Sequence, residues 1–341
     1  MRLSICIPTY NRARFLPDLF DSILAQTGYM IEIEVVVSDN ASTDETAAVV
    51  DDYRDRLPNL IYSRADENIG ADRNFLRVVE YATGDYCWLM GSDDKLEPGS
   101  IAEFERQHAR HPDITGLTLN RRAYKFDLAT QMYEPRIILG DPDQDRHLQS
   151  ADESFAFLGY YLGYISAQIF RRDTWTRTVS ESPVADYYNG YIHIYVIGRM
   201  MQMRSGWLYV ARQCVGWRSA NDSFLIRGGE FERMALDVRG YEVITRGLFG
   251  AASPTYRKLN AAVVSGLVVN AIRTAKLEGA DRSFFTRSLP LLLRTYWPYP
   301  GFWLRALPLL LTPAWMMRLA RSGYRRTLKQ RRLRQLNNNA S

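Results

Sequence analysis

Two adjacent acids follow a short apolar run: Asp85-Tyr86-Cys87-Trp88-Leu89-Met90 leads directly into Gly91-Ser92-Asp93-Asp94. The run reads as a buried strand. Paired carboxylates at the mouth of such a strand are costly unless something compensates them. A divalent cation carrying a diphosphate would do so, because hard cations take carboxylate and phosphate oxygens. The alternative is a plain turn, since Gly, Ser and Asp all favour turns and Asp can cap the next helix.

Two further polar clusters have the same placement, and a fourth piece stands at a helix start. Pro8-Thr9-Tyr10-Asn11-Arg12 follows the apolar stretch Leu3–Pro8. Ser38-Asp39-Asn40-Ala41-Ser42-Thr43-Asp44 closes the β-branched stretch Ile31–Ser38. Asn68-Ile69-Gly70-Ala71-Asp72-Arg73-Asn74 puts a basic residue at a helix start. Together these supply an aromatic ring, hydrogen-bond acceptors, a guanidinium and carboxylates, the groups that hold a nucleoside diphosphate. Each residue also has a plainer reading: Asp39 as a turn residue, Asp44 as a helix-start charge, Tyr10 as a packing aromatic, Arg73 as a surface partner of Asp72 or Glu80.

The elements that must position these groups alternate. Strands are expected near residues 3–8, 31–38, 60–63, 86–90 and 114–120, with helices between them at residues 15–24, 43–50, 71–81 and 101–111. That order predicts an α/β fold with a mostly parallel sheet and helices on both faces. In such a sheet ligands bind at the carboxyl ends of the strands, where the clusters lie. A nicotinamide-binding fold would need Gly-x-Gly-x-x-Gly after the first strand; Pro8-Thr9-Tyr10-Asn11-Arg12 stands there instead. Helices are expected at 187–203 and 230–248, and a strand or hairpin at 207–217. Residues 121–146 read as a hairpin or loop excursion.

Residues 1 to about 120 resemble the nucleotide-binding half of a family 2 glycosyltransferase with the GT-A fold. The residues that carry the likeness are Ile7-Pro8-Thr9-Tyr10-Asn11-Arg12, Val37 to Asp44, Asn68-Ile69-Gly70 with Arg73-Asn74, and Ser92-Asp93-Asp94. The later part is similar, more loosely, to O-antigen-type transferases such as abequosyltransferases, through Gly216-Trp217-Arg218 with Asn221-Asp222-Ser223-Phe224. The resemblance implies that Pro8, Thr9 and Tyr10 line the base and ribose site and that Asp39 accepts hydrogen bonds from the nucleobase. It further implies Arg73 by the base or diphosphate, Asp93 near the ribose, and Asp94 as the ligand of Mn²⁺ or Mg²⁺. The family often has an acid where Ser92 stands.

Transfer of a sugar to a hydroxyl needs a base. The Glu-Asp pair that inverting members of this family carry has no clear counterpart between residues 150 and 230. Asp186 and His193 are the two candidates, each with an ordinary helix role as its alternative.

The charge is uneven. Residues 282–341 hold eleven Arg and one Lys with no acid, whereas residues 1–281 hold 31 basic and 38 acidic residues. Residues 289–317 are apolar but broken by Pro290, Pro298, Pro300, Pro308 and Pro313 and by Arg294 and Arg305, too interrupted for a spanning helix of about 20 residues. Trp297, Tyr299, Phe302, Trp303 and Trp315, followed by Arg318, Arg321, Arg325, Arg326, Lys329, Arg331, Arg332 and Arg334, suit an anionic membrane interface. The alternative is a helical subdomain with a solvated basic end. The acidic body argues against nucleic acid. Cys6, Cys87 and Cys214 are scattered, and the first residues lack the features of a signal peptide, so a reducing compartment is expected.

These readings predict a nucleotide-sugar-binding half at 1–120, an acceptor-binding and catalytic half at 121–250, and a helical region with a basic amphipathic tail at 251–341. They predict an inverting, metal-dependent glycosyltransferase acting on a glycan or polyprenyl-linked glycan, with no nucleic-acid partner. Its place would be the inner face of the cell membrane, bound peripherally through 289–334. A catalytically weak nucleotide-binding membrane adaptor is the alternative that the missing acid pair leaves open.

Overall fold

A computed structural model describes residues 1–132, 141, 143–204 and 206–319. Their elements begin with β1 (Arg2–Thr9), α1 (Leu16–Leu24), β2 (Glu32–Asp39), α2 (Thr46–Asp52), β3 (Ile61–Arg64), α3 (Ala71–Glu80) and β4 (Tyr86–Leu89). Then come β5 (Lys95–Leu96), α4 (Ser100–Arg110), β6 (Gly116–Tyr124), β7 (Arg146–Leu148), α5 (Ala151–Leu158) and β8 (Gln168–Arg171). They are followed by α6 (Arg172–Glu181), α7 (Ile192–Met203), β9 (Trp207–Arg218) and α8 (Ser223–Phe249).

β1 and β2 are buried along nearly their whole length, which is why Ile5-Cys6-Ile7 and Val35-Val36-Val37 are apolar without alternation; the polar Ser4 and Glu34 are buried in the same strands, with the Ser4 hydroxyl donating to Glu34 at 2.5 Å. α1 starts with a proline in its first turn and buries Leu16, Leu19, Phe20 and Ile23 at helical spacing. The core joins Ile5 and Ile7 of β1, Val35 and Val37 of β2 and Trp88 of β4 to Phe20 and Phe104 from the flanking helices.

The strands form one sheet in the order β3-β2-β1-β4-β8-β6-β9-β5, with β7 paired to β9. The α/β fold expected from the sequence is present. The half β3-β2-β1-β4 is parallel throughout, and its register sets Thr9 opposite Asp39. Beyond β4 the sheet is mixed: β8 pairs antiparallel with both β4 and β6, while β6 and β9 are parallel. β8 has only four residues, so its pattern could not announce an antiparallel strand inserted in the middle of the sheet.

The chain divides into two units, residues 1–223 with 239–259, and residues 224–238 with 260–341. α8 contributes to both and is broken at Gly229, whose φ is 73°. The second unit is helical, with α9 (Pro254–Val263) contributing its last residues, then α10 (Val269–Glu278), α11 (Arg282–Tyr296) and α12 (Leu307–Leu311). There Lys276 is buried, and its ammonium donates to the Leu310 carbonyl at 2.8 Å, satisfying the end of α12. No helix among the described residues is long and apolar enough to cross a membrane.

Candidate functional site

The carboxyl ends of β1, β2 and β4 form one braced edge. Asn40 N–H donates to the Thr9 carbonyl at 2.9 Å, Asn11 N–H to Ser42 Oγ at 2.8 Å, and Thr43 N–H to Asn11 Oδ1 at 2.7 Å. Asp44 accepts from Ala13 N–H at 3.1 Å and from the Thr46 hydroxyl at 2.6 Å, so it ties the first turn to the second. Asn40 carries the tie onward, accepting from Ile69 N–H at 2.9 Å and donating to Asn68 Oδ1 at 2.9 Å. Three polar clusters far apart in sequence are thereby fixed to one another through backbone groups.

Thr9 and Asp39 are buried neighbours across the β1–β2 ladder. Asp39 accepts from Ser42 N–H at 2.9 Å and from the Tyr62 hydroxyl at 2.8 Å, with Arg64 at 3.7 Å. Burial and this hydrogen bond raise the Tyr62 pKa. Thr9 Oγ1 is buried with no hydrogen-bond partner among the described residues. Pro8 lies in the buried part of β1, which ends at Thr9, and Tyr10 is half-buried just beyond it.

On α3, Arg73 is exposed, with its guanidinium carbon 5.6 Å from the Tyr188 ring centroid. The basic residue that turns inward is Arg77, one turn later. It donates to Ser38 Oγ and to Ser63 Oγ, each at 2.8 Å. Asp72 does not pair with Arg73. It accepts from Gly190 N–H at 2.7 Å and Ile192 N–H at 3.0 Å, which docks residues 190–192 against α3 and caps α7. Burial raises its pKa.

Gly91 to Asp94 form a turn closed by Asp94 N–H to Gly91 O at 3.1 Å. Gly91 is tightly enclosed: an added Cβ would lie 3.0 Å from Ser166 Oγ and 3.1 Å from Asp94 Oδ2, so these groups would have to give by a few tenths of an ångström. Asp94 Oδ2 accepts from Tyr164 at 2.8 Å and Ser166 at 2.5 Å, and Oδ1 from Arg218 N–H at 3.1 Å. Burial and the adjacent Asp93 carboxylate push its pKa up to about 7 despite these donors. Burial also raises Asp93, against the pull of the Arg12 charge and of Asn221, whose amide donates to Asp93 Oδ2 at 2.7 Å.

Arg218 locks this turn. Its Nε donates to the Asp93 carbonyl at 2.8 Å, Nη1 to the Phe126 carbonyl at 2.5 Å, and Nη2 to Asp18 at 2.6 Å. Arg12 Nη1 donates to Asn221 Oδ1 at 3.2 Å, so the amide links a cation to Asp93. Ser166, Tyr164 and Arg12 are neighbours of the carboxylate turn that sequence reasoning did not assign. Arg12 alone carried a signal, by standing at a strand end.

Two carboxylates whose burial disfavours ionisation form a donor set that fits a hard divalent cation. Asp94 Oδ2 already has two donors, so a cation would find its remaining lone pairs on Oδ1 and on Asp93. No cluster of three or more His, Cys, Asp or Glu with metal-holding geometry occurs among the described residues, so diphosphate oxygens and water would complete the shell.

The two candidate bases are placed differently. Asp186 is exposed in the short turn Val184–Tyr187, before the segment docked on α3. His193 lies inside α7 at 1% exposure, with Nε2 3.3 Å from the Gly163 carbonyl and its ring 5.6 Å from that of Phe75. Burial lowers its pKa to about 4, so it is neutral, and its Nδ1 is buried with no hydrogen-bond partner among the described residues.

A nine-stranded α/β sheet with a carboxylate turn at the end of its fourth strand is the arrangement of a GT-A glycosyltransferase. The family model described as "Glycosyl transferase family 2" matches residues 4–167. The abequosyltransferase RfbV of Salmonella typhimurium is 31% identical over 259 residues, covering 71% of this chain and 73% of that protein. The chain belongs to glycosyltransferase family 2. Among solved structures, S. aureus TarS 1–349 superposes with a TM-score of 0.60 at 14% identity, over 87% of this chain and 81% of that one. The mannosyltransferase PcManGT of Pyrobaculum calidifontis, in complex with GDP-Man and Mn²⁺, superposes with a TM-score of 0.56 at 17% identity, over 91% of this chain and 85% of that one.

Proposed function

We propose that this enzyme transfers a sugar from a nucleotide-diphosphate donor to a lipid-linked glycan acceptor, with inversion and with a bound Mn²⁺ or Mg²⁺. The observation that carries this reading is the braced edge, where Thr9, Asp39, Arg12 and the Asp93–Asp94 pair stand at adjacent strand ends. The nucleobase and ribose would lie along Pro8, Thr9 and Tyr10, with Asp39 as acceptor. A ligand donor or acceptor would satisfy the Thr9 hydroxyl, whose burial is otherwise uncompensated. Arg73 would stand by the base or diphosphate and Asp93 by the ribose. Asp94, sharing with Asp93, would hold the cation, which when bound neutralises charge on the departing diphosphate. Asp186 is the base this reading retains.

The second unit supports a membrane-bound acceptor. Trp297, Leu304, Leu311 and Trp315 are each more than 60% exposed, and Arg294, Arg305 and Arg318 flank them. Aromatic rings with nearby cations favour the interface of an anionic bilayer. The remaining basic residues of the tail, Arg321 to Arg334, lie outside the described residues. On this reading the enzyme works at the cytoplasmic face of the membrane, bound peripherally.

Thermal-shift measurements with UDP-, GDP-, CDP- and dTDP-sugars, with and without Mn²⁺, test the donor site. One nucleotide should raise the midpoint in a Mn²⁺-dependent way, since a ligand bound only by the folded state stabilises it. No shift with any of the four would refute the reading.

A further inference from the structure

A cation held among aromatic rings lies beside the paired aspartates, on the side away from β1 and β2. The Arg121 guanidinium carbon is 4.4 Å from the Trp217 ring centroid, 4.5 Å from that of Tyr164 and 5.5 Å from that of Tyr161. Register accounts for the first contact: β6 and β9 are parallel, with Arg121 opposite Val215 and Ala123 opposite Trp217. Arg121 and Trp217 are therefore diagonal neighbours on one face. Alternation along β9 turns Trp217 to the face opposite Arg218.

Both oxygens of Asp94 are tied to this group. The Tyr164 hydroxyl donates to Oδ2 at 2.8 Å, and the amide of the residue after Trp217 donates to Oδ1 at 3.1 Å. The strand order puts β4, which ends at the aspartates, between β1–β2 on one side and β6–β9 on the other. A nucleotide along β1 and β2 leaves the β6–β9 side for whatever receives the sugar. Trp217 is only half-buried there, whereas its strand neighbours Cys214, Val215 and Arg218 are buried, and it takes no part in the main core.

We propose that Trp217, braced by Arg121, is the platform for the terminal hexopyranose of the acceptor glycan. The apolar C–H face of the sugar stacks on the indole, and its hydroxyl rim turns toward Asp94. Arg121 is a positioning residue that fixes the angle of the indole relative to Tyr164. The inference rests on the glycosyltransferase reading above and adds to it the acceptor class and the residue that grips it.

Saturation-transfer NMR on the full chain, with the methyl α- and β-glycopyranosides of glucose, galactose, mannose and rhamnose, tests it. At least one glycoside should receive saturation on the C–H protons of one ring face. Trp217→Ala should abolish that signal, Trp217→Phe should retain part of it, and Arg121→Gln should weaken it several-fold. Melting curves and circular dichroism establish that each variant folds. In transfer assays Trp217→Ala should raise the acceptor KM about tenfold, the scale of one aromatic contact, while the donor KM moves less than about twofold. Persisting saturation in Trp217→Ala, no saturation by any of the glycosides with the unmodified protein, or a change in donor rather than acceptor KM would each overturn the proposal. Failure of the underlying reading registers separately, as loss of any nucleotide-induced thermal shift in the unmodified protein.

Discussion

Arg218→Ala is expected to damage both the fold and the donor site, because one buried guanidinium holds three separate segments. The residue is 5% exposed, and it donates to Asp93 O, Phe126 O and Asp18 Oδ2 while lying 5.0 Å from the Phe15 ring centroid. The two carbonyls lose a charged donor at about 1.5 kcal/mol each. Asp18 is 54% exposed, so its carboxylate rehydrates, and that pair contributes at most about 1 kcal/mol. The total, about 3 to 4 kcal/mol, corresponds to a fall in melting temperature on the order of 6 to 16 °C for a body of this size. Arg218→Lys keeps the charge but cannot direct donors to all three acceptors, so it should recover only part of the loss. The assay is thermal unfolding with and without nucleotide and Mn²⁺. The alanine variant should lose the Mn²⁺-dependent shift as well, since the Asp93–Asp94 turn is no longer pinned. A melting temperature within about 2 °C of the unmodified protein, with the nucleotide shift intact, would show that Arg218 is not the strut described.

Asp94 should make the metal-free protein less stable as pH rises: its carboxyl is raised from 3.8 to about 7 in the fold, so the protonated form is favoured there and stability fades as pH climbs through that range. Melting between about pH 5 and pH 7 should show the decline, Mn²⁺ should reverse it at about pH 7, and Asp94→Asn should flatten it; an unchanged slope in that variant refutes the assignment. Thr9→Val removes a buried hydroxyl without a partner and should stabilise the ligand-free protein by about 1 kcal/mol. It should also shrink the nucleotide-induced shift, and an undiminished shift would take Thr9 out of the donor site. The double substitution Leu304→Glu with Trp315→Glu, at side chains 77% and 62% exposed, should lower co-sedimentation with phosphatidylglycerol vesicles about tenfold or more without altering the melting temperature. Equal sedimentation of the variant would count against the second unit as the membrane contact.

What the sequence disclosed about this site divides by the range of the interactions involved. β1, β2 and β4 are buried on both faces, so each carries an unbroken apolar stretch, and the polar clusters that follow are visible as strand ends. The parallel half of the sheet followed from the order of those runs. The environment of each charge was hidden, because the groups that set it arrive from remote parts of the chain. Ser166 reaches Asp94 across 72 residues and Arg218 across 124, through a four-residue antiparallel strand and a β9 whose pairing no local pattern specifies. Asp72 and Arg73 show the same limit from the other side. As neighbours at a helix start they suggest a surface pair, yet Asp72 caps a segment 118 to 120 residues away while Arg73 stands over Tyr188. His193 met the chemical requirement for a base by residue type alone, and only the packing of α7 against Phe75 and Gly163 removes it from contact with solvent. Residue type and strand-end position therefore identify which side chains gather at the sheet edge. Whether a given side chain there acts as ligand, strut or cap depends on how many of its lone pairs and donors the distant chain has already engaged, and for Asp94 that count leaves Oδ1 as the oxygen with room for a cation.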